Sequence, residues 1–296
     1  MIHLNELPNG HIYSPSDVRS FTAPPPLGAE DQKNIVIISD THFGSGVALA
    51  QETILDDGQK VLPSPLQAKL WAHWLDFWSW VYTTLDGAPF TLVHVGDVVD
   101  GAHHKTTALI SANPSVQHRM AVEGLRGHID NAEAYYQIRG TEAHVGISAS
   151  NEDLVAESLG AVKTPDGNAS WWELWMKAGR ELIHFSHHVG HTSSSAYESS
   201  AIRRQMVTAY EDSGQHQHRP PTIIIRGHTH RFIKVEDQFM TGIKMPAWQA
   251  KTPFTYKIDP GRAPMFGGII IRTRPYERAQ ILDRIYSVRQ TESVRI

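Results

Sequence analysis

Clusters of Asp and His follow short apolar segments at five places in the chain. The clusters read DTH (40–42), GDVVD (96–100), GTEAH (140–144), HH (187–188) and GHTH (227–230). The segment before each cluster, such as NIVIIS before Asp40, is typical of a β-strand buried on both faces. Because the carboxyl ends of strands line the crevice where α/β sheets bind ligands, we expect the clusters to converge on one site.

Helical patterns alternate with these apolar segments. Apolar residues at helical spacing predict helices over 66–85, 115–135 and 196–210. A further helix is expected over 151–159, capped by Asn151 with Glu152 and Asp153 in its first turn. Alternating strands and helices predict a layered α/β fold.

The composition excludes several kinds of chemistry. The chain has no cysteine, so disulfides, thiolate zinc sites and cysteine nucleophiles are excluded. A net charge of -4 gives no global attraction to nucleic acid or membranes, although a local basic groove stays open. The N-terminus lacks the basic and apolar regions of a signal peptide, and no apolar run is long enough to span a bilayer. We therefore expect a soluble, cytoplasmic protein that does not associate with membranes.

Three segments are expected along the chain. Residues 1–33 show no sustained periodicity and are interpreted as an N-terminal arm. Residues 34–275 carry the clusters and form the predicted main domain. Residues 276–296, which are rich in arginine, are interpreted as a C-terminal tail or surface helix.

The ligand types favour transition metals. Imidazole and carboxylate together suit Zn, Fe, Mn, Co or Ni, whereas Ca and Mg prefer oxygen. The number of ligands suggests two ions, since one carboxylate can bridge a metal pair spaced by roughly 3.5–4 Å. Residues two apart in an extended segment point to the same side, so Asp40 and His42 are expected to share one side of the chain, and so are His228 and His230.

The ordered motifs DTH, GDVVD, GTEAH, SHH and GHTH resemble the calcineurin-like metallophosphoesterase superfamily over residues 34–235. The longer strings SDTHFGS, GDVVDGAHH, RGTEAHVG and PAWQAKT resemble phage and prophage members, which would place the protein in the host cytoplasm. The resemblance implies an α/β fold of the four-layer α/β/β/α sandwich type. It also implies two divalent transition metals, with Mn favoured, and hydrolysis of a phosphate ester by a hydroxide that bridges them.

The resemblance also implies a role for each motif residue. Asp40, His42 and His230 would bind the first metal, and Asp97 would bridge the two metals and so be catalytic. His228 would bind the second metal with His187 or His188, and the sequence does not choose between these two neighbours. Residues placed behind the ligands or beside the substrate are Asp100, His103, His104 and Thr141.

One motif departs from the family pattern. The superfamily usually has an Asn ligand followed by a catalytic His after the third strand, where this chain has Gly140-Thr141-Glu142-Ala143-His144. We expect Glu142 to supply the missing oxygen ligand, and His144 to contact the phosphate or protonate the leaving oxygen. A carboxylate there would weaken attraction for dianionic monoesters more than for diesters. The alternative is that Glu142 caps the following helix and His144 is an exposed loop residue.

The sequence therefore predicts a phosphodiesterase that acts on a nucleotide or nucleic acid. A phosphomonoesterase or protein phosphatase is the second hypothesis, and a non-catalytic binding subunit on a phosphoesterase fold is the third. The sequence makes no prediction of oligomeric state.

Overall fold

The computed structural model describes residues 32–103, 106–191, 194–258 and 261–287. The predicted arm (1–33) lies outside these ranges except for its last two residues, and so do His104 and residues 288–296. The predictions for those residues concern parts of the chain outside the described structure.

Strands and helices alternate along the chain, as predicted. The strands are β1 (Lys33–Ile38), β2 (Thr53–Ile54), β3 (Lys60–Val61), β4 (Thr91–His94), β5 (Ala134–Ile138), β6 (Ser170–Trp171), β7 (Leu174–Ala178), β8 (Glu181–Phe185), β9 (Ile223–Arg226), β10 (Ile233–Glu236), β11 (Thr241–Lys244), β12 (Phe266–Thr273) and β13 (Gln280–Tyr286). The helices are α1 (Pro65–Leu85), α2 (Pro114–Ile129), α3 (Glu142–Val145), α4 (Ser150–Ser158), α5 (Ser200–His216) and α6 (Pro253–Ile258).

Two sheets form the centre of the fold. The first has the order β13-β12-β1-β4-β5-β6, and the second has the order β10-β11-β9-β8-β7. Strands β1, β4, β5 and β6 run parallel, and so do β8, β9 and β11. The parallel strands of each sheet therefore end at a common edge. The Asp and His clusters come directly after these strands, at that edge.

Alternation along β1 shows how the layers stack. Val36 and Ile38 pack in a core with residues of α1, α2 and α4. Ile35 and Ile37 point the other way, into a core shared with Ile183 and other residues of the second sheet. Both faces of β1 are therefore buried, as its continuous apolar sequence predicts.

The second sheet has the same arrangement on its outer face. Ile223 and Ile225 of β9 face the first sheet, whereas Ile224 packs with Ile202 and Met206 of α5. Helices, sheet, sheet and helix thus form the four-layer α/β/β/α sandwich expected from the motifs.

Helix α1 has a complete N-terminal cap. The Ser64 side chain accepts a hydrogen bond from the Gln67 backbone, the Gln67 side chain accepts one from the Ser64 backbone, and Pro65 occupies the first helical position. Trp74 and Trp78 of this helix are buried in the core. Within the described ranges, no helix combines the length and apolar character needed to cross a membrane.

Two local expectations are wrong. Asn151 does not cap α4, because that helix begins one residue earlier and Ala149 occupies the cap position. Residues 280–286 of the expected tail or helix form strand β13, which pairs antiparallel with β12. As an edge strand, β13 is only half-buried and contains exposed charged residues, so it lacks the continuous apolar run that marks a buried strand.

Which face of α1 packs in the core can be tested by making the same Leu→Ala substitution at a buried and at an exposed position. Leu70 is fully buried, whereas Leu75 on the same helix is 53% exposed. Leu70→Ala should lower the free energy of unfolding by about 2–5 kcal/mol, since it removes buried methyl groups and leaves a cavity. Leu75→Ala should change it by about 0.5 kcal/mol or less in urea unfolding. Equal effects of the two substitutions would contradict the assigned core face.

Candidate metal centre

The Asp and His clusters meet at the carboxyl-terminal ends of the parallel strands. Asp40 and His42 follow β1, Asp97 follows β4, His187 follows β8, and His228 with His230 follows β9. Most of these side chains are buried, with Asp40, His42, Asp97 and His187 each at most 2% exposed. The fold thus brings together residues that lie as far apart in sequence as Asp40 and His230.

Asp40, His42 and His230 form the first triad. His230 Nε2 lies 3.3 Å from Asp40 Oδ1 and 3.2 Å from His42 Nε2. The ligand atoms of the triad all lie within 4.8 Å of one another. Their convergence is the geometry that a shared cation requires.

Asp97, His187 and His228 form the second triad. His187 Nε2 lies 3.0 Å from Asp97 Oδ2, and the His187 and His228 rings are 5.4 Å apart. His188 is exposed and does not belong to the described triads. Of the two neighbours that the sequence left open, the structure places His187 in the cluster, because the chain alternates between the interior and solvent at the end of β8.

Asp97 belongs to the second triad and also faces the first. Its Oδ2 is 3.0 Å from His187 Nε2 in the second triad and 4.0 Å from His42 Nε2 in the first. A single carboxylate that faces both sets of imidazoles is the arrangement of a bridging ligand.

Two imidazoles have fixed tautomers. His42 Nδ1 donates to Asp100 Oδ1 at 3.0 Å, and His187 Nδ1 donates to the Val95 carbonyl at 2.6 Å. The acceptor identities require Nδ1 to carry a proton, so Nε2 of each ring faces its triad. Asp100 also accepts from Gln249 Nε2 at 2.8 Å, which fixes the carboxylate that orients His42.

The electrostatics of the centre favour bound cations. Burial opposes ionisation of Asp40, but the neighbouring imidazoles lower its pKa to about 2. Burial likewise disfavours a charged His187, but contact with Asp97 raises its pKa to about 10. Asp97 has its pKa held well below the usual range by His187, despite complete burial. Ionised carboxylates are therefore kept inside the protein, where a positive partner must balance them.

The backbone at the ligands is left-handed. Asp40, His42, Asp97, His228 and His230 all have φ between 45° and 72°. Such conformations cost about 1–3 kcal/mol each for residues with a side chain, and they concentrate at functional sites. The expected extended alternation is therefore wrong here. Asp40 and His42 nevertheless share a triad, and His228 and His230 belong to different triads, in line with the roles that the resemblance implies.

Thr141 takes the place that we expected Glu142 to fill. Its Oγ1 lies 3.1 Å from His228 Nδ1, 3.2 Å from His187 Nε2 and 3.2 Å from Asp97 Oδ2. Glu142 is exposed at the start of α3 and does not belong to the described triads. The expectation of a Glu142 ligand is therefore wrong, because α3 begins there and directs that side chain outward. Glu142 therefore does not bring its charge to the centre and does not disfavour dianionic monoesters there.

His144 lies beside the first triad. Its Nδ1 donates to the Asp100 carbonyl at 2.5 Å, and its ring meets the His42 ring edge to face at 4.7 Å. The His103 ring also meets the His144 ring edge to face, with the ring centres 4.2 Å apart and His103 Nε2 3.7 Å from Asp100 Oδ1. Burial lowers the pKa of His144 to about 4, so this ring is neutral at pH 7. Both rings line a cavity of about 500 Å³ that also contacts the triads.

Glu152 is a buried residue that sequence reasoning assigned only to the first turn of a helix. It accepts hydrogen bonds from the backbone of Val98 at 3.1 Å and of Gly140 at 2.8 Å. Burial raises the pKa of this carboxyl to about 8. Glu152 therefore joins the loop after β4 to the loop after β5, and nothing in the local sequence signals that pairing.

A further Asp and His cluster lies at the end of a helix and does not follow a strand. Asp212, His216 and His218 form an exposed triad at the end of α5, with Asp212 3.1 Å from each imidazole. Its solvent exposure distinguishes it from the buried triads, and it must be controlled for in any measurement of bound metal.

The sequence matches a family model described as calcineurin-like phosphoesterase over residues 33–232. No curated protein matches the chain.

Solved structures with distant likeness cover most of the chain. Vps29 from Entamoeba histolytica, in a complex with zinc, is 14% identical, with 84% of this chain and 98% of that chain covered and a TM-score of 0.37. An archaeal phosphodiesterase is 11% identical, with 85% and 99% covered and a TM-score of 0.40. NAD nucleotidase from Haemophilus influenzae is 13% identical, with 87% and 56% covered and a TM-score of 0.39. At these scores the likenesses carry no argument about activity.

The close approach of two loops at the centre gives a test. A Cβ on Gly140 would overlap Asp97 Oδ1 and the Asp97 backbone nitrogen. Gly140→Ala should therefore displace Asp97, lower the free energy of unfolding by about 1–3 kcal/mol and weaken metal binding. Gly127→Ala is the control, because a Cβ there meets nothing within 4 Å. Unchanged metal affinity in Gly140→Ala, measured by calorimetry, would show that Asp97 does not need this packing.

Proposed function

Since the chain belongs to the calcineurin-like phosphoesterase family, we propose that it hydrolyses phosphodiesters at a centre of two divalent metal ions. The contact of Asp97 with both triads carries this proposal, because one carboxylate then serves two cation sites. Asp40, His42 and His230 would hold one ion, and His187 with His228 the other, with Thr141 contributing a neutral oxygen.

The donor set fits a transition metal. Ionised carboxylates face imidazole Nε2 atoms whose Nδ1 atoms are anchored, and mixed nitrogen and oxygen ligands suit Mn, Fe, Zn, Co or Ni. Among these we favour Mn. When bound, the ions would polarise the phosphate oxygens and activate water at neutral pH. The cytoplasmic location and the phage setting stay predictions from the sequence.

The cavity beside the triads supports a diester. It has a volume of about 500 Å³ and extends from His42 and Asp97 to Phe254 and Pro264. A phosphate held at the triads could extend a second organic group into this cavity, which a monoester with one organic group would use less fully.

His144 is placed to act on the leaving group. Its Nδ1 is occupied by the Asp100 carbonyl, so Nε2 is the nitrogen available to a substrate. The ring is neutral before binding, and an anionic phosphate beside it would favour the protonated form. Nε2 could then donate the proton to the departing oxygen.

The bridging role of Asp97 can be tested by metal content together with activity. In a His218→Ala background, which removes the exposed triad, the protein should bind two equivalents of Mn and hydrolyse bis-p-nitrophenyl phosphate. Asp97→Asn should bind fewer equivalents and lose the activity, because a neutral amide cannot balance two cations. Asp283→Asn, on edge strand β13, is the matched control.

Full hydrolysis by Asp97→Asn would refute the bridging role. Faster turnover of p-nitrophenyl phosphate than of the diester would favour the phosphomonoesterase alternative. Two bound equivalents with no turnover of either substrate would favour the non-catalytic alternative.

The role of His144 predicts a dependence on the leaving group. His144→Ala should lower kcat by roughly 10²–10⁴ for a diester that releases an alkyl alcohol, because that leaving oxygen needs a proton. The loss should be much smaller for p-nitrophenolate, which departs without one. His118→Ala, which removes an exposed imidazole bonded to Ser158, should behave as wild type. Equal losses for both leaving groups would instead assign His144 to phosphate binding.

A further inference from the structure

We infer that the cavity beside the metal centre binds a nucleotide unit next to the scissile phosphate, with its own phosphate on a cationic wall and its base on Phe254. The substrate class is then a single-stranded oligonucleotide. This inference rests on the proposed phosphodiesterase function and specifies its substrate.

A cationic cluster lies in and behind the cavity wall. Arg231 Nε is 2.7 Å from Glu198 Oε1, and Arg262 Nη1 is 3.6 Å from the same oxygen. Lys244 is buried behind them, with Nζ 3.5 Å from the Glu198 carbonyl. Two guanidinium groups therefore share one carboxylate, and a third cation lies next to the backbone of the same residue.

The cationic cluster is attached to the metal centre. Arg231 directly follows His230 of the first triad, and its Nη1 donates to the Ala263 carbonyl at 2.6 Å. The Met265 backbone nitrogen donates to the His230 carbonyl at 3.1 Å, which holds the segment after Arg262 against the same loop. Arg231 and Arg262 line the cavity that also contains His42, Asp97 and His228. An anion bound to them would lie in the same cavity as the substrate of the centre.

The charge and shape of this wall suit phosphate. Guanidinium groups present parallel N–H donors that match phosphate oxygens, and such charge-assisted bonds are stronger than neutral ones. The chain as a whole has a net charge of -4, so its overall field does not attract anions, and a phosphate would have to be held by local cations such as these. Lys251 adds a further cation to the lining.

Aromatic side chains complete the site. Phe254 of α6 is 53% exposed and lines the cavity, and Lys251 Nζ lies 5.2 Å from the centre of the Tyr256 ring. An exposed aromatic ring beside cations is the combination that proteins use to bind single strands, since bases stack on the ring while cations bind the backbone. A substrate with two phosphates and no base would contact the cations but would have no group to stack on Phe254.

The test compares dithymidylate (TpT) with the same dinucleotide carrying a terminal phosphate at its 5′ end (pTpT) or its 3′ end (TpTp). The metal-loaded full chain should cleave at least one phosphorylated form with a kcat/KM about tenfold or more above that for TpT. In Arg262→Gln this ratio should fall towards one. The ratio is taken within each protein, so a general loss of activity cancels. Arg278→Gln, an exposed arginine that lines another cavity, should keep the wild-type ratio.

The aromatic contact has a separate readout. Phe254→Ala should raise the KM for TpT, and Phe254→Tyr should restore it, because tyrosine retains the stacking face. Since Phe254 is exposed, neither substitution should change the free energy of unfolding. The measurement on Phe254 therefore tests the inference even if Arg262→Gln does not fold.

The outcomes separate the inference from the proposed function. Cleavage of bis-p-nitrophenyl phosphate with equal kcat/KM for TpT, pTpT and TpTp would overturn the inference and leave the phosphodiesterase standing. A preference that survives in Arg262→Gln would also overturn it, as would a stronger preference for diadenosine pyrophosphate. Absence of any diester hydrolysis would mean that the proposed function itself fails.

Discussion

The structure depends on ionised carboxylates held inside the protein by imidazoles. Asp40 and Asp97 are both buried, and both have their pKa lowered by neighbouring histidines. Buried charge of this kind is costly unless it is paired. The need to pair it explains why strand ends from both sheets converge at one edge. It also explains why Asp97, which faces two sets of imidazoles, is the residue on which the proposed chemistry depends.

Two features show that stability is sacrificed at the centre. The left-handed backbone of residues such as Asp40 and His228 costs free energy that only the surrounding structure can offset. The buried carboxyl of Glu152 is likewise used to join two loops, through the backbone of Val98 and Gly140, and not to pack a core. Burial of apolar side chains in the three cores of the sandwich contributes the folding free energy that offsets these local costs.

Sequence patterns predicted the parts of the fold and centre that depend on local periodicity. The continuous apolar run of β1 predicted burial on both faces, and the residues after five strands identified the edge where ligands gather. Patterns failed where neighbours in space decide. Strand β13 is an edge strand recognisable by its partner β12. Glu142 was expected to be a ligand because the motif lacks the family's Asn and Glu142 is a nearby residue with a carboxylate oxygen, but the start of α3 directs it outward.

The sequence by itself determined the types of candidate ligand and the strands that carry them, because residue chemistry and hydrophobic period are properties of the chain. Only the tertiary structure decided that His187 and not His188 joins the cluster, and that Thr141 occupies the position expected for Glu142. It alone brought Arg231 and Arg262 to one carboxylate. The physical reason is that left-handed turns and helix starts set the direction of each side chain, and these are fixed by packing between segments distant in sequence.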